Sequence, residues 1–204
     1  WKGEINDTAS LGTISSLLTA REIKSNYDIN ENGFNNNKFK IYTSIEAHSS
    51  VEKAVKTIGI GSKNIRKIDT DNNLSMNHEH LKKEINNDII KKNVPLAIIS
   101  TFGTTGTVSF DPINKISEIA NKYKIWHHID AAYAGSVLFL EEYQKHIKKI
   151  HLADSFVFNP HKWMLTNFDC SLYYVKDKNK LIKTLEINPE YLKSSEKKIN
   201  NYKD

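Results

Sequence analysis

Phe158-Asn159-Pro160-His161-Lys162-Trp163 follows directly on Ser155-Phe156-Val157, and the seam between them decides how the chain is read. Ser155 to Phe158 is a short β-branched and aromatic run, the pattern of a buried strand. Asn159-Pro160 ends it, because proline donates no ladder hydrogen bond and restricts the residue before it. Lys162 is therefore expected just past a strand end, between His161 and Trp163. A lysine among bulky apolar neighbours loses hydration, which favours its neutral, nucleophilic form. Such lysines form Schiff bases with carbonyl compounds. A single lysine after a strand could equally be a solvated surface residue, so its neighbours decide.

The first neighbour is Asp130, in His127-His128-Ile129-Asp130-Ala131-Ala132-Tyr133. Ile125 to Ile129 reads as a second buried strand, which puts Asp130 at a strand end too. A carboxylate there can hold the pyridine nitrogen of pyridoxal phosphate protonated and make the ring an electron sink. The small Ala131-Ala132 pair lets a flat ring approach. Near the start, Asp7-Thr8-Ala9-Ser10 precedes Leu11, Ile14, Leu17 and Leu18, which share one face of a helix running to about Lys24. Thr8 and Ser10 are suited to cap that helix. Its unpaired N–H groups and positive dipole end suit a phosphate, although a cap needs no ligand.

Phe39 to Ser44 reads as a strand after the polar loop Gly33 to Lys38. Beyond it, Ser49 and Glu52 have capping-box spacing ahead of the apolar face Val51, Ala54, Val55 and Ile58. His48 falls between, where an imidazole could stack on a cofactor ring or simply hydrogen-bond within a loop. Ile65 to Asp69 is a short strand, and Asn77 to Lys91 a helix carrying Leu81, Ile85 and Ile89. Leu96 to Thr101 is the most apolar strand, followed by the turn-rich Phe102-Gly103-Thr104-Thr105-Gly106-Thr107. Asp111-Pro112 has the cap-then-proline form of a helix start, with Ile113, Ile116, Ile119, Ala120 and Tyr123 on one face. Leu138 to Leu152 reads as helical, Ser171 to Val175 as a strand, and Asp177 onward as a helix through Leu181, Ile182 and Leu185.

Strands alternating with amphipathic helices predict an α/β domain with a mostly parallel central sheet and flanking helices. His48, Thr105, Asp130, Asn159 and Lys162 all fall just past predicted strand ends, where open α/β sheets bind ligands.

The 204 residues are enough for one substantial core, and the net charge is +5. The lysines are scattered, with no basic stripe interleaved with aromatics, so no nucleic-acid partner is expected. The single cysteine, Cys170, excludes an intrachain disulfide. No signal peptide and no membrane-length apolar run are seen, so a soluble cytoplasmic protein without membrane association is expected. G-x-G-x-x-G and Walker A motifs are absent, which argues against nicotinamide and P-loop chemistry. No metal site is expected: His127 and His128 point to opposite faces of a strand, and His78 and His80 diverge at a helix start.

His-Ile-Asp-Ala-Ala-Tyr-Ala-Gly-Ser at 128–136, Phe-Asn-Pro-His-Lys-Trp at 158–163 and Ala-His-Ser-Ser-Val-Glu at 47–52 together resemble the group II pyridoxal-phosphate decarboxylases. Within that family they most resemble the aromatic-L-amino-acid decarboxylases, and the similarity runs from about Gly3 to about Lys193. The resemblance implies the aspartate-aminotransferase type of fold, a homodimer with its site at the subunit interface, and decarboxylation of an aromatic L-amino acid to its amine. It implies that Lys162 carries the cofactor, Asp130 pairs with the ring nitrogen, His48 stacks on the ring and Thr105 reaches its phenolic oxygen. Thr8, Ala9, Ser10, Asn159 and His161 would hold the phosphate, with Ala132 also at the cofactor. Asn188 to Lys193 resembles the family's mobile catalytic loop, whose tyrosine, here Tyr191, protonates the carbanion. Family members are longer, so residues 1–187 are expected to be a partial large domain and 188–204 a truncated loop segment. An aldehyde-forming relative, or a fragment serving only assembly, is the alternative.

Overall fold

The computed structural model describes residues 1–187. In chain order the elements are β1 (Lys2–Asn6), α1 (Ala9–Lys24), α2 (Asp28–Asn32), β2 (Phe39–Ser44), α3 (Ser50–Thr57), β3 (Ile65–Ile68), α4 (His78–Ile90) and β4 (Val94–Thr101). They continue with α5 (Ile113–Tyr123), β5 (Trp126–Asp130), α6 (Glu141–Gln144), β6 (Ser155–Phe158), α7 (Pro160–Trp163), β7 (Ser171–Val175) and α8 (Lys178–Leu185).

The strands form one sheet in the order β1-β7-β6-β5-β4-β2-β3. The pairs from β3 through β6 are all parallel, and β7 pairs antiparallel with both β6 and β1. Two antiparallel steps return β1 to the direction of β6, so β1, β2, β4, β5 and β6 all end at one rim. After β2 the chain moves outward to β3; after β4 it moves the other way to β5. The sheet therefore has its switch point between β2 and β4, which is where a crevice opens in folds of this class. Helices α1, α3 and α8 cover one face, and α4 and α5 the other.

The alternation of β5 is visible in its partners. His128 turns toward α1, with Thr13 Oγ1 at 3.4 Å, and His127 toward α5, with Ser117 Oγ at 3.1 Å. Both rings are fully buried, and burial pushes each down to about 3, so both are neutral.

Several expectations need correction. Residues 2–6, for which the sequence predicts no element, form an exposed edge strand. Of the expected α1 stripe only Leu17 is fully buried: Ile14 and Leu18 are half-buried against the core and Leu11 is exposed, while Gly12, Thr13 and Ser16 join Leu17 in facing the sheet. A Cβ on Gly12 would lie 3.1 Å from the Tyr173 and Val157 side chains, so the helix sits too close for a larger residue without adjustment. Thr8 caps α1 through Leu11 N–H as expected, whereas Ser10 lies inside the helix. The Ser49–Glu52 capping box does not form; His48 Nδ1 accepts the Ser50 N–H at 3.1 Å instead. Ile89 on α4 is exposed. Leu138 to Leu152 is a series of short 3-10 and α turns, not one helix.

Asp111 does not cap α5. Its buried carboxylate accepts Thr101 N–H at 2.7 Å and Met76 N–H at 2.8 Å, tying the end of β4 to the segment before α4. Burial pushes its pKa up to about 6, against which the two N–H bonds act. Because the folded value lies above the unfolded one, its stabilising contribution is full below about pH 4 and is lost as pH rises through about 6. The gap in unfolding free energy between wild type and Asp111→Asn should therefore change by roughly 2 kcal/mol from pH 4 to 7, against the wild type. Chemical denaturation across that range measures it, and a flat difference would show that Asp111 does not titrate there.

Candidate active site

The rim where the parallel strands end carries a cleft of about 220 Å³. Every residue singled out for cofactor contact among the described residues lines it: Thr8, Ala9, Ser10, His48, Thr105, Asp130, Ala132, Asn159, His161 and Lys162. Tyr191 lies outside the described residues. Each wall has a local cause. β1 delivers Asp7 to the rim, and Thr8 turns the chain into α1, so the first turn of that helix opens on the cleft. β2 delivers His48, and β4 the loop with Thr105. β5 ends on Asp130, and β6 ends where Asn159-Pro160 starts the single turn α7 that carries His161 and Lys162.

Two glycines allow these segments to meet. Gly103 has φ +84°, and a Cβ there would lie 2.2 Å from the Cβ of Ala134. A Cβ on Gly135 would lie 2.4 Å from Phe158 Cβ. The loop after β4 and the end of β6 thus both close on the 131–135 turn.

Asp130 is buried, and its Oδ1 accepts Ala132 N–H at 3.0 Å. Burial raises its pKa, opposed by that N–H and by the nearby Lys162 and His48. Lys162 Nζ lies 5.6 Å from the ring centre of Tyr133, which in turn packs edge-on against Trp163 at 5.1 Å. His48 Nδ1 is occupied by Ser50 N–H and His161 Nδ1 by Cys170 N–H at 2.8 Å. Each neutral ring therefore carries its proton on Nε2, leaving that atom as its donor.

Sequence reasoning passed over Thr101, Ser50, Gly103, Tyr133 and Phe168, which also line the cleft. Thr101 stands directly opposite Asp130 in the parallel pairing of β4 with β5. The signal for it was available: equal strand ends in a parallel sheet put the last residues side by side.

The residues fit pyridoxal phosphate on three observations. Asn159 Oδ1 and Thr101 Oγ1 are buried at the cleft with no hydrogen-bond partner among the described residues. A desolvated carboxylate suits a cationic ring nitrogen, and the N-terminus of a 16-residue helix suits a phosphate. Among the described residues no group of His, Cys, Asp or Glu is arranged to hold a metal ion, and no helix is long and apolar enough to cross a membrane.

Comparison with known proteins bears on the same site. The family model for the pyridoxal-dependent decarboxylase conserved domain matches residues 2–203. The histidine decarboxylase of Mus musculus is 40% identical over 94% of this chain and 29% of its own length. The phenylacetaldehyde synthase of Arabidopsis thaliana is 38% identical over 99% of this chain and 42% of its own. The solved structure of Catharanthus roseus tryptophan decarboxylase in complex with L-tryptophan superposes with a TM-score of 0.84 at 34% identity, covering 92% of this chain and 40% of that one. The chain thus spans under half the length of the relatives it matches. By the family model and by fold, the chain belongs to the pyridoxal-dependent decarboxylases.

Proposed function

We propose that this chain forms the cofactor-binding core of an enzyme that decarboxylates an aromatic L-amino acid to the corresponding amine and carbon dioxide. The observation that carries this reading is the convergence of Lys162, Asp130 and His48 with the first turn of α1 in one cleft. Bound pyridoxal phosphate would supply an electron-accepting ring for the pair released when the bond to the carboxylate breaks. Lys162 would hold the cofactor covalently through Nζ and give way to the substrate amine. Asp130 would keep the ring nitrogen protonated. His48, fixed by its bond to Ser50, would press its flat face on the ring, and Thr105 would meet the phenolic oxygen. Thr8, Ala9 and Ser10 offer backbone N–H groups, and Asn159 and His161 side-chain donors, to the phosphate. Ala132 leaves the space that a flat ring needs.

Homodimeric assembly belongs to the same proposal. Trp163, Met164, Leu165 and Phe168 expose apolar surface at the cleft's edge, Leu165 at 87% and Phe168 at 80%, as an interface would require. A reducing, cytoplasmic location accords with a single cysteine. Aromatic substrates are supported by the likeness to a tryptophan decarboxylase solved with L-tryptophan. Assay of the complete protein against tryptophan, tyrosine, dopa, phenylalanine and histidine tests this; preference for histidine would overturn the aromatic assignment.

The likeness to a phenylacetaldehyde synthase favours a second reading, in which dioxygen would oxidise the decarboxylated substrate, giving an aldehyde with release of ammonia and hydrogen peroxide. Tyr191 divides the two. Protonation of the substrate α-carbon wins only if an acid is held within reach of it. Tyr191→Phe keeps the shape without the hydroxyl, so carbon dioxide release should persist while amine yield falls and aldehyde and hydrogen peroxide rise under air. Product ratios with and without oxygen decide it; unchanged amine output would place the proton donor elsewhere.

A further inference from the structure

Where Thr13 and Ser16 of α1 meet β5 and β6 the contact is polar, and a line of hydrogen bonds runs through it. Trp126 Nε1 donates to Ser16 Oγ at 2.8 Å, with Ser155 Oγ a second, longer acceptor at 3.2 Å, and Ser16 Oγ lies 2.8 Å from Ser155 Oγ. Ser155 Oγ is 2.9 Å from His128 Nδ1, and His128 Nε2 is 3.4 Å from Thr13 Oγ1. Thr13 Oγ1 ends the line by donating to Ala9 O at 3.1 Å. Both ends have a fixed sense, since an indole N–H only donates and a carbonyl only accepts. Each group between therefore donates once in the same direction. Ser16 donates to Ser155, Ser155 to His128 Nδ1, and His128 must carry its proton on Nε2 to donate to Thr13. All the linking side chains are buried.

The line joins two parts of the cleft. Ala9 belongs to the first turn of α1, and His128 lies two residues before Asp130 on β5. We propose that His128, as its Nε2–H tautomer, is a positioning residue: it ties the first turn of α1 to the Asp130 strand and so sets the separation between phosphate-holding turn and ring-holding carboxylate. This rests on the cofactor reading above. Full burial keeps the imidazole neutral, as the single-tautomer line requires. Small residues at Gly12, Thr13 and Ser16 follow from the same need, since a bulkier face would lift the helix off β5 and β6.

The test compares pyridoxal phosphate with phosphate-free pyridoxal, titrated spectroscopically into the complete apo-protein. A positioning role acts on the phosphate increment, whereas a general packing role weakens both ligands alike. In His128→Leu the dissociation constant for pyridoxal phosphate should rise on the order of tenfold and that for pyridoxal should stay within about twofold. His128→Gln, which can still donate to Thr13, should recover most of the difference. Thr13→Val, which removes only the last link, should repeat the phosphate-selective loss and serves if His128→Leu fails to fold. Equal losses for both ligands, no loss, or a lowered unfolding midpoint with an unchanged affinity ratio would overturn the role of His128. A wild-type protein that bound neither ligand would overturn the cofactor reading itself, and this inference with it.

Discussion

Lys162→Ala in the complete protein should abolish multiple turnover and leave no pyridoxal phosphate attached to the chain after borohydride reduction. The expectation rests on placement. Lys162 sits on the one-turn helix α7 directly after β6, and its side chain reaches the cleft past Tyr133. The nearby Lys162 opposes the effect of burial on the Asp130 carboxylate. Alanine fits the helical turn and leaves Pro160 and His161 undisturbed, so the fold should survive. Cofactor could still bind through the phosphate contacts at Thr8, Ala9 and Ser10, but reversibly. Peptide mass mapping after reduction reads the outcome directly: in the wild type the added mass should lie on the peptide containing Lys162. A label on another lysine, or turnover surviving in the variant, would overturn the assignment.

How far the sequence carried the fold depended on burial. Phe39–Ser44, Ser155–Phe158 and Ser171–Val175 were legible to the residue because largely buried strands leave short runs rich in β-branched and aromatic residues. The Lys2–Asn6 strand was not legible. Among the described residues it is an edge paired only with β7, and Lys-Gly-Glu-Ile-Asn is exposed along almost its whole length, so it carries no buried alternation. The α1 stripe misled for the opposite reason. A helix pressed closely on a sheet uses small residues, so Gly12, Thr13 and Ser16 are buried where the larger Leu11 is not. Local hydrogen-bond signals failed where tertiary partners competed. Ser49 lost the α3 cap to His48, and Asp111 was drawn to Thr101 and Met76 across the turn. The site was more legible than its supports. Strand ends mark the rim, and the residues past them were identifiable. The line from Trp126 to Ala9 was not, because it joins side chains that only the folded sheet brings together.

Asp130→Asn should retain cofactor and lose most activity. Asparagine keeps the shape of the side chain and, through its carbonyl, the bond from Ala132 N–H. It removes a charge from a site where little water remains to replace it, since Asp130 is only 5% exposed. Burial raises the proton affinity of this carboxylate, which marks it as a group that needs a cationic partner to stay ionised. On the cofactor reading a protonated ring nitrogen would be that partner, and the ring accepts electrons well only while protonated. Losing an electrostatic stabilisation of about 3 kcal/mol in a dry site would slow decarboxylation by at least about a hundredfold. Turnover measured at saturating cofactor tests this, with bound pyridoxal phosphate followed by absorbance to separate chemistry from binding. A second measurement isolates the charge. In Asp130→Ala, which opens space at the ring nitrogen, a cofactor methylated there carries its positive charge permanently and should restore part of the rate that the unmodified cofactor cannot. Near-normal turnover in Asp130→Asn, or no advantage of the methylated cofactor in Asp130→Ala, would remove Asp130 from this role.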